Sequence, residues 1–116
     1  MPLTSPITIP KLASRLTFRQ LHIFHAVYLL KSYSKAGNEL GLTQPAVSSQ
    51  IRQLEEAIGM PVFEYIGRRL FCTAAGEALA KSTSLIFTEI GKLQSDLAEL
   101  EGVVAGDLRL VAVNTA

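Results

Sequence analysis

Between Leu79 and Val104 eight positions, Leu79, Thr83, Ile86, Ile90, Leu93, Leu97, Leu100 and Val104, follow one another in steps of four and three without interruption. That is a heptad seam, with d at Leu79, Ile86, Leu93 and Leu100 and a at Thr83, Ile90, Leu97 and Val104. A helix lying on an ordinary core would drift toward 3.6 residues per turn instead. A helix this long also outruns what a neighbouring domain of some sixty residues can cover. The pattern therefore predicts a linker helix over 76–105 that pairs with the same helix of a second chain. Gly102 and Gly106 predict its end. Residues 107–113 read as an apolar strand, and a lone strand is not stable without partners. Residues 106–116 thus predict the first strand of a further domain absent from the chain, as in a truncated protein.

The front of the chain is organised differently. Three prolines in the first sixteen residues, with little periodicity, predict a mobile tail over 1–16. Thr17-Phe18-Arg19-Gln20 is a capping box, and Phe18, Leu21, Phe24, Val27 and Tyr28 follow at helical spacing, predicting a first helix to about Leu30. Ser34 is the expected cap of a second helix, Lys35 to Leu40, which Gly41 ends. Thr43 caps a third helix with Pro45 in its first turn, Val47, Ile51, Leu54 and Ile58 inward, and Gly59 after it. Two short apolar segments then flank Ile66-Gly67-Arg68-Arg69, the pattern of a β-hairpin with a basic tip. The fold class that follows is mainly α: a winged helix-turn-helix with a two-stranded β-hairpin wing over 17–75, followed by a long coiled-coil linker helix.

Charge is unevenly shared. Residues 1–76 carry eight basic side chains against four acidic ones, a net +4, while residues 77–116 carry a net −3. Only the front half suits a polyanion. The start of the chain lacks an export signal and no apolar run is long enough to cross a bilayer, so the expected location is cytoplasmic and nucleoid-associated, with no membrane contact. A single cysteine, Cys72, excludes an internal disulfide and a cysteine-based zinc site. On a wing strand it reads as a small hydrophobe rather than a redox sensor. His22 and His25 lie one turn apart, but nothing placed beside them completes a metal or catalytic site. No enzyme activity, catalytic residue, metal or cofactor is expected.

With the apolar stripe inward, the third helix turns Pro45, Ser49, Arg52, Gln53 and Glu56 outward, with Ser48 on the flank. Its N-terminal end is the part that enters a major groove in helix-turn-helix proteins. Gln44 can pair with adenine N6 and N7, and Pro45 offers apolar surface to a thymine methyl. Thr43, Ser48 and Ser49 can bond phosphates or base edges, and Arg52 is a phosphate clamp. Arg68 and Arg69 either enter the flanking minor groove or grip its backbone. Taken alone, the polar face of the helix could equally be a solvated surface; the wing and the basic front half tip the balance toward DNA.

Residues 17–76 resemble the N-terminal domain of LysR-type transcriptional regulators. The likeness is carried by Phe18-Arg19-Gln20-Leu21 with Phe24, Ser34 to Ala36 with Leu40, Thr43-Gln44-Pro45-Ala46-Val47-Ser48, Gln50-Ile51 with Leu54-Glu55, Gly59 with Phe63-Glu64, and Thr73 with Ala75-Gly76. The resemblance implies that Gln44, Pro45, Ser48 and Ser49 face bases or phosphates of a double-stranded operator, flanked by the Arg68–Arg69 wing. Arg19, Ser34 and Lys35 complete the expected DNA-facing set. It further implies that the long helix pairs antiparallel with its mate in a homodimer, and that a periplasmic-binding-like effector domain follows residue 106. A small-molecule effector, and a tetramer, would belong to that domain. Four positions depart from the family pattern: Gly37 in place of an alanine, which should loosen the second helix by up to about 1 kcal/mol; Ser49 in place of a frequent arginine; Tyr65 in place of a common wing arginine; and Cys72 in place of leucine. Phe63 to Leu70 and Gly106 to Leu110 look most like the branch controlling carbon-fixation operons. A winged helix that binds another protein and no longer binds DNA, and a molybdate-type regulator sharing this head, are the alternative readings.

Overall fold

A computed structural model describes residues 8–106. The order is α1 (Phe18–Leu30), α2 (Tyr33–Leu40), α3 (Gln44–Ile58), β1 (Phe63–Ile66), β2 (Arg69–Cys72) and α4 (Ala74–Gly106). The fold is mainly helical with one antiparallel hairpin, as the sequence predicts. Within the segment read as a tail, Lys11–Ser14 forms a 3-10 turn, with the Ser14 hydroxyl donating to Lys11 O at 2.8 Å. The expected strand at 107–113 lies outside the described residues, as do residues 1–7 of the tail.

Local chemistry sets the helix ends. The capping box closes in both directions: Gln20 N–H donates to Thr17 Oγ1 at 3.0 Å, and Thr17 N–H donates to Gln20 Oε1 at 3.1 Å. α1 leaves through Lys31 in the left-handed region, φ 54°. The expected start of α2 needs correction. Ser32, not Ser34, is the cap, accepting from Lys35 N–H at 3.0 Å, and the helix begins at Tyr33. With Lys31 closing α1 and α2 starting at Tyr33, Ser32 is the one residue between them and its hydroxyl takes the cap.

The core collects Leu21, Ile23, Phe24 and Val27 of α1, Ala36 of α2, and Val47, Ile51 and Leu54 of α3, with Val62, Phe63 and Ala80. Phe24 stacks on Phe63 at 5.3 Å between ring centres. Phe18, expected on the inward stripe, is instead 63% exposed. Each step of three residues rotates a stripe about 60° around the helix, so three of them carry Phe18 to the side opposite Val27. Gly37 also answers to packing. A Cβ there would meet Leu42 O at 2.6 Å, and Leu42 N–H already donates to Gly37 O at 2.8 Å. The glycine lets the turn close directly on α2, a benefit that sets itself against the loosening expected from helix propensity alone.

Behind α3 two polar groups hold the wing in place. Val62 N–H donates to Glu55 Oε2 at 2.9 Å. The Thr73 hydroxyl donates to Pro61 O at 2.7 Å and accepts from Gly76 N–H at 3.0 Å. Removing a partly buried charged acceptor strands its donor, so Glu55→Ala should cost about 1–3 kcal/mol in urea unfolding, and Glu55→Gln markedly less. Equal losses for the two would count against the bond.

The chain divides into two compact units at Thr83/Ser84. The first therefore reaches past residue 75, the boundary expected from sequence. The reason lies in α4, whose Gly76, Ala80 and Thr83 are buried at steps of four and three. Thr83, placed on the dimer seam by its heptad position, is 0% exposed and belongs to the core of the first unit, where its Oγ1 has no partner among the described residues. Leu79, its seam neighbour, is half-buried. In the second unit the seam residues are open, from Ile86 at 36% and Ile90 at 38% to Leu93 and Leu97 at 54% and Leu100 at 62%. The side chain of Val104 lies outside the described residues. Gly102 does not break the helix, which runs to Gly106; one glycine costs only about 1 kcal/mol.

Candidate nucleic-acid interface

The helix-turn-helix is built so that the start of α3 stands clear of the protein. Gly41, φ 70°, turns the chain out of α2, and the Thr43 hydroxyl accepts from Ala46 N–H at 3.2 Å. Pro45, in the first turn of α3, needs no hydrogen-bond partner for its nitrogen. Gln44 and Pro45 are exposed, Ser48 and Ser49 half-buried, and Arg52 exposed. Pro45, Ser49 and Arg52 follow at steps of four and three along one side, with Gln44 and Ser48 beside them. Ser49, standing where a longer basic side chain is frequent in the resembled family, accepts from Gln53 Nε2 at 3.5 Å. Gln53 faces outward as the sequence predicts but is missing from the site residues expected there; its spacing of four from Ser49 is the signal that points to it.

Ser34 is exposed in the first turn of α2, and its hydroxyl faces Gln44 Oε1 at 3.4 Å. Lys35 beside it is exposed, and Arg19 is exposed near the start of α1. The hairpin pairs Phe63 with Cys72 and Ile66 with Arg69, leaving Gly67 and Arg68 as a two-residue turn. Gly67 has φ 66° while Arg68 does not enter the positive region, the pattern of a type II′ turn. Arg69 lies 5.7 Å from the Phe71 ring, so its guanidinium is braced along the strand while Arg68 projects from the tip. Among the described residues, none of Arg19, Lys35, Arg52, Arg68 and Arg69 pairs with a carboxylate; the ion pair present is Lys92 with Glu89 at 3.7 Å. Cations left unneutralised on one domain can meet phosphates without first breaking internal bridges.

Tyr65, which stands where the resembled family commonly has an arginine, packs edgewise on Tyr33 at 6.3 Å, and Tyr33 meets Phe63 edge-on at 6.2 Å. These rings tie the wing to α2, a role no local pattern signals. Burial, joined by the charge of Glu55, pushes the Tyr33 phenol up to about 12. A neutral phenol therefore supports the fold fully below about pH 10, the ordinary tyrosine value, and that support is lost as pH rises toward 12. In an alkaline titration of phenolate absorbance one tyrosine should titrate near 12, and Tyr33→Phe should remove both that step and its share of the alkaline loss of stability. A wild-type profile in Tyr33→Phe would refute the assignment.

Cys72 is half-buried on β2, and burial, followed by the charge of Glu77, raises its thiol. A thiol held neutral is a poor nucleophile, in keeping with a space-filling role. His25 packs along Tyr28 at 6.2 Å, and its Nδ1 is buried without a partner among the described residues. No group of three His, Cys, Asp or Glu able to hold a metal occurs among the described residues. No helix there is long and apolar enough to cross a membrane.

Known proteins share this arrangement. Residues 18–77 match the family model described as bacterial regulatory helix-turn-helix protein, lysR family. The chain is 41% identical over 99 residues to the HTH-type transcriptional activator CmpR of Synechocystis sp., covering 85% of this chain and 33% of that protein. It is 45% identical over 98 residues to the HTH-type transcriptional regulator CbbR of Rhodospirillum rubrum, covering 84% of this chain and 33% of that protein. A RuBisCO operon transcriptional regulator of Acidithiobacillus ferrooxidans is 41% identical over 85% of this chain and 32% of its own length. The chain thus spans about a third of the length of the curated relatives it matches. Among solved structures, a CbnR_DBD–DNA complex superimposes with a TM-score of 0.69 at 28% identity, over 74% of this chain and 99% of that one. A BenM_DBD complex with catB site 1 DNA gives 0.70 at 27% identity, over 74% and 97%. From the capped helix pair through the hairpin to the start of the long helix, the chain belongs to the LysR family of bacterial helix-turn-helix regulators.

Proposed function

We propose that this chain reads double-stranded DNA as a homodimer, each copy inserting the start of α3 into a major groove with its wing beside it. The observation that carries the reading is the one face of α3 formed by Gln44, Pro45, Ser48, Ser49 and Arg52, on a unit whose Arg19, Lys35, Arg68 and Arg69 have no carboxylate partner among the described residues. The similarity to CbnR_DBD and BenM_DBD, both solved with DNA, supports it. Gln44 and Pro45 supply base contacts, while Thr43, Ser48, Ser49, Arg52, Arg19 and Lys35 supply phosphate or flanking contacts. The exposed seam of α4 from Ile86 to Leu100 pairs with a second copy, and Leu79 and Val104 extend it at the ends; Thr83 has no part in it. Pairing sets the distance between the two heads and hence the half-site spacing.

The chain acts as a regulator and not as an enzyme. Its target class, by likeness to relatives named for RuBisCO operons, is an operon for carbon fixation. Response to a small-molecule effector, and assembly beyond a dimer, we assign to regions the relatives have beyond the matched third. The test is binding to operator duplexes at several salt concentrations. Replacing Arg68 and Arg69 with alanine should weaken binding and reduce the salt slope by about one unit for each phosphate that goes unneutralised. An unchanged slope and affinity would refute a DNA-contacting wing and favour a protein-binding winged helix.

A further inference from the structure

Ser34 is free because Ser32 has taken the capping position. Its exposed hydroxyl has one side-chain neighbour that bears on recognition, Gln44 Oε1 at 3.4 Å. The two residues lie in the first turns of consecutive helices, and the tight turn between those helices keeps their separation short. Leu42 N–H bonds to Gly37 O at 2.8 Å, and no side chain fits between them at Gly37. Thr43, the hydroxyl directly before Gln44 in the chain, is committed to Ala46 N–H. Ser34 is thus the hydroxyl that bonds the Gln44 amide oxygen.

That orientation has chemical content. A free glutamine amide offers Oε1 as acceptor and Nε2 as donor, and can turn either toward a base edge. With Ser34 donating to Oε1, that oxygen is engaged and Nε2 is the end left to meet a base edge. A leading donor suits base edges that present acceptors: purine N7, guanine O6 or thymine O4. It is less suited to the exocyclic amino groups of adenine and cytosine, which need an acceptor. We propose that Ser34 is a positioning residue for specificity: it sets the base preference of Gln44 by fixing which end of the amide faces the DNA. The inference rests on the proposed DNA reading and replaces the expected pairing of Gln44 with adenine N6 and N7 by a contact made through Nε2 alone.

The test is selection of the full chain, as wild type, Ser34→Ala, Ser34→Thr and Gln44→Ala, from a pool of randomised duplexes, with binding to the selected duplex measured across salt. Gln44→Ala should flatten the preference at one base pair of each half-site. Ser34→Ala should change the ranking at that same base pair, lowering the wild-type preference by about fivefold and raising amino-bearing edges. Other positions and the salt slope should stay as in wild type, and Ser34→Thr, which keeps the hydroxyl, should restore the profile. A Ser34→Ala profile identical to wild type, or one weakened evenly at all positions, would overturn the proposal and leave base reading by Gln44 standing. A Gln44→Ala profile that matches wild type would overturn base reading itself, and the proposal with it.

Discussion

Gly76→Ala should lower the melting temperature of this protein by roughly 8–16 °C, read by circular dichroism. Gly76 sits in the first turn of α4, and a Cβ there would run into the carbonyl oxygen of Val62 and the sulfur of Cys72. The carbonyl cannot swing aside cheaply, because Thr73 N–H is bonded to it at 3.0 Å and the Thr73 hydroxyl is tied to Pro61 O and to Gly76 N–H. Overpacking of this kind costs about 1–3 kcal/mol, at the upper end where backbone is the obstacle. Alanine returns about 1 kcal/mol of helix propensity. A net loss of about 2 kcal/mol corresponds to the stated shift for a domain of this size. Gly91→Ala is the control of opposite sign. It lies in the same helix with nothing within 4 Å of its Cβ position, so only the propensity gain remains. If both variants moved the midpoint the same way, close packing of α4 on the base of the wing would be wrong.

Replacing Leu93 and Leu97 together with aspartate should convert the protein to a monomer in sedimentation velocity and lower its affinity for a two-half-site duplex by at least about 100-fold. Both leucines are 54% exposed on the open part of the seam, and four charges brought together in a paired helix cannot be buried. The loss in affinity follows because two linked heads bind with a high effective concentration that separate heads lack, worth 10²–10⁴-fold or so. The first unit ends at Thr83, so the head should keep its fold and its weak binding to a single half-site. Lys92→Ala on the same helix should change neither property, since its pair with Glu89 is 66% and 75% exposed and such pairs contribute little. A dimer that survived both aspartates would disprove pairing through this face.

Much of the architecture is legible in the sequence because its signals are local. Thr17 and Gln20 lie three residues apart, as do Thr43 and Ala46, and each cap is completed within one turn. The hairpin follows from a glycine where a two-residue turn requires positive φ, with apolar segments on either side. The exposed residues at the start of α3 are recoverable for the same reason, since the buried stripe Val47, Ile51 and Leu54 dictates which side chains turn away from it. Sequence and structure part where two local solutions compete, as with Ser32 and Ser34 for one cap, or where a stripe extended at steps of three leaves the buried side, as with Phe18.

Legible from the sequence alone were the order of the three helices, the hairpin and the long helix, the apolar spacing along α4 and the outward face of α3, all written in spacings of two to four residues that any stretch of chain carries on its own. Packing between distant segments settled which of two overlapping stripes on α4 owns Thr83, why Gly37 and Gly76 have no side chain, and what Glu55 and Thr73 hold. It also decided that Tyr28 donates to Glu77, forty-nine positions away. Those outcomes depend on how close separate segments come once packed, and van der Waals overlap and hydrogen bonds are sensitive to tenths of an ångström that no periodicity encodes.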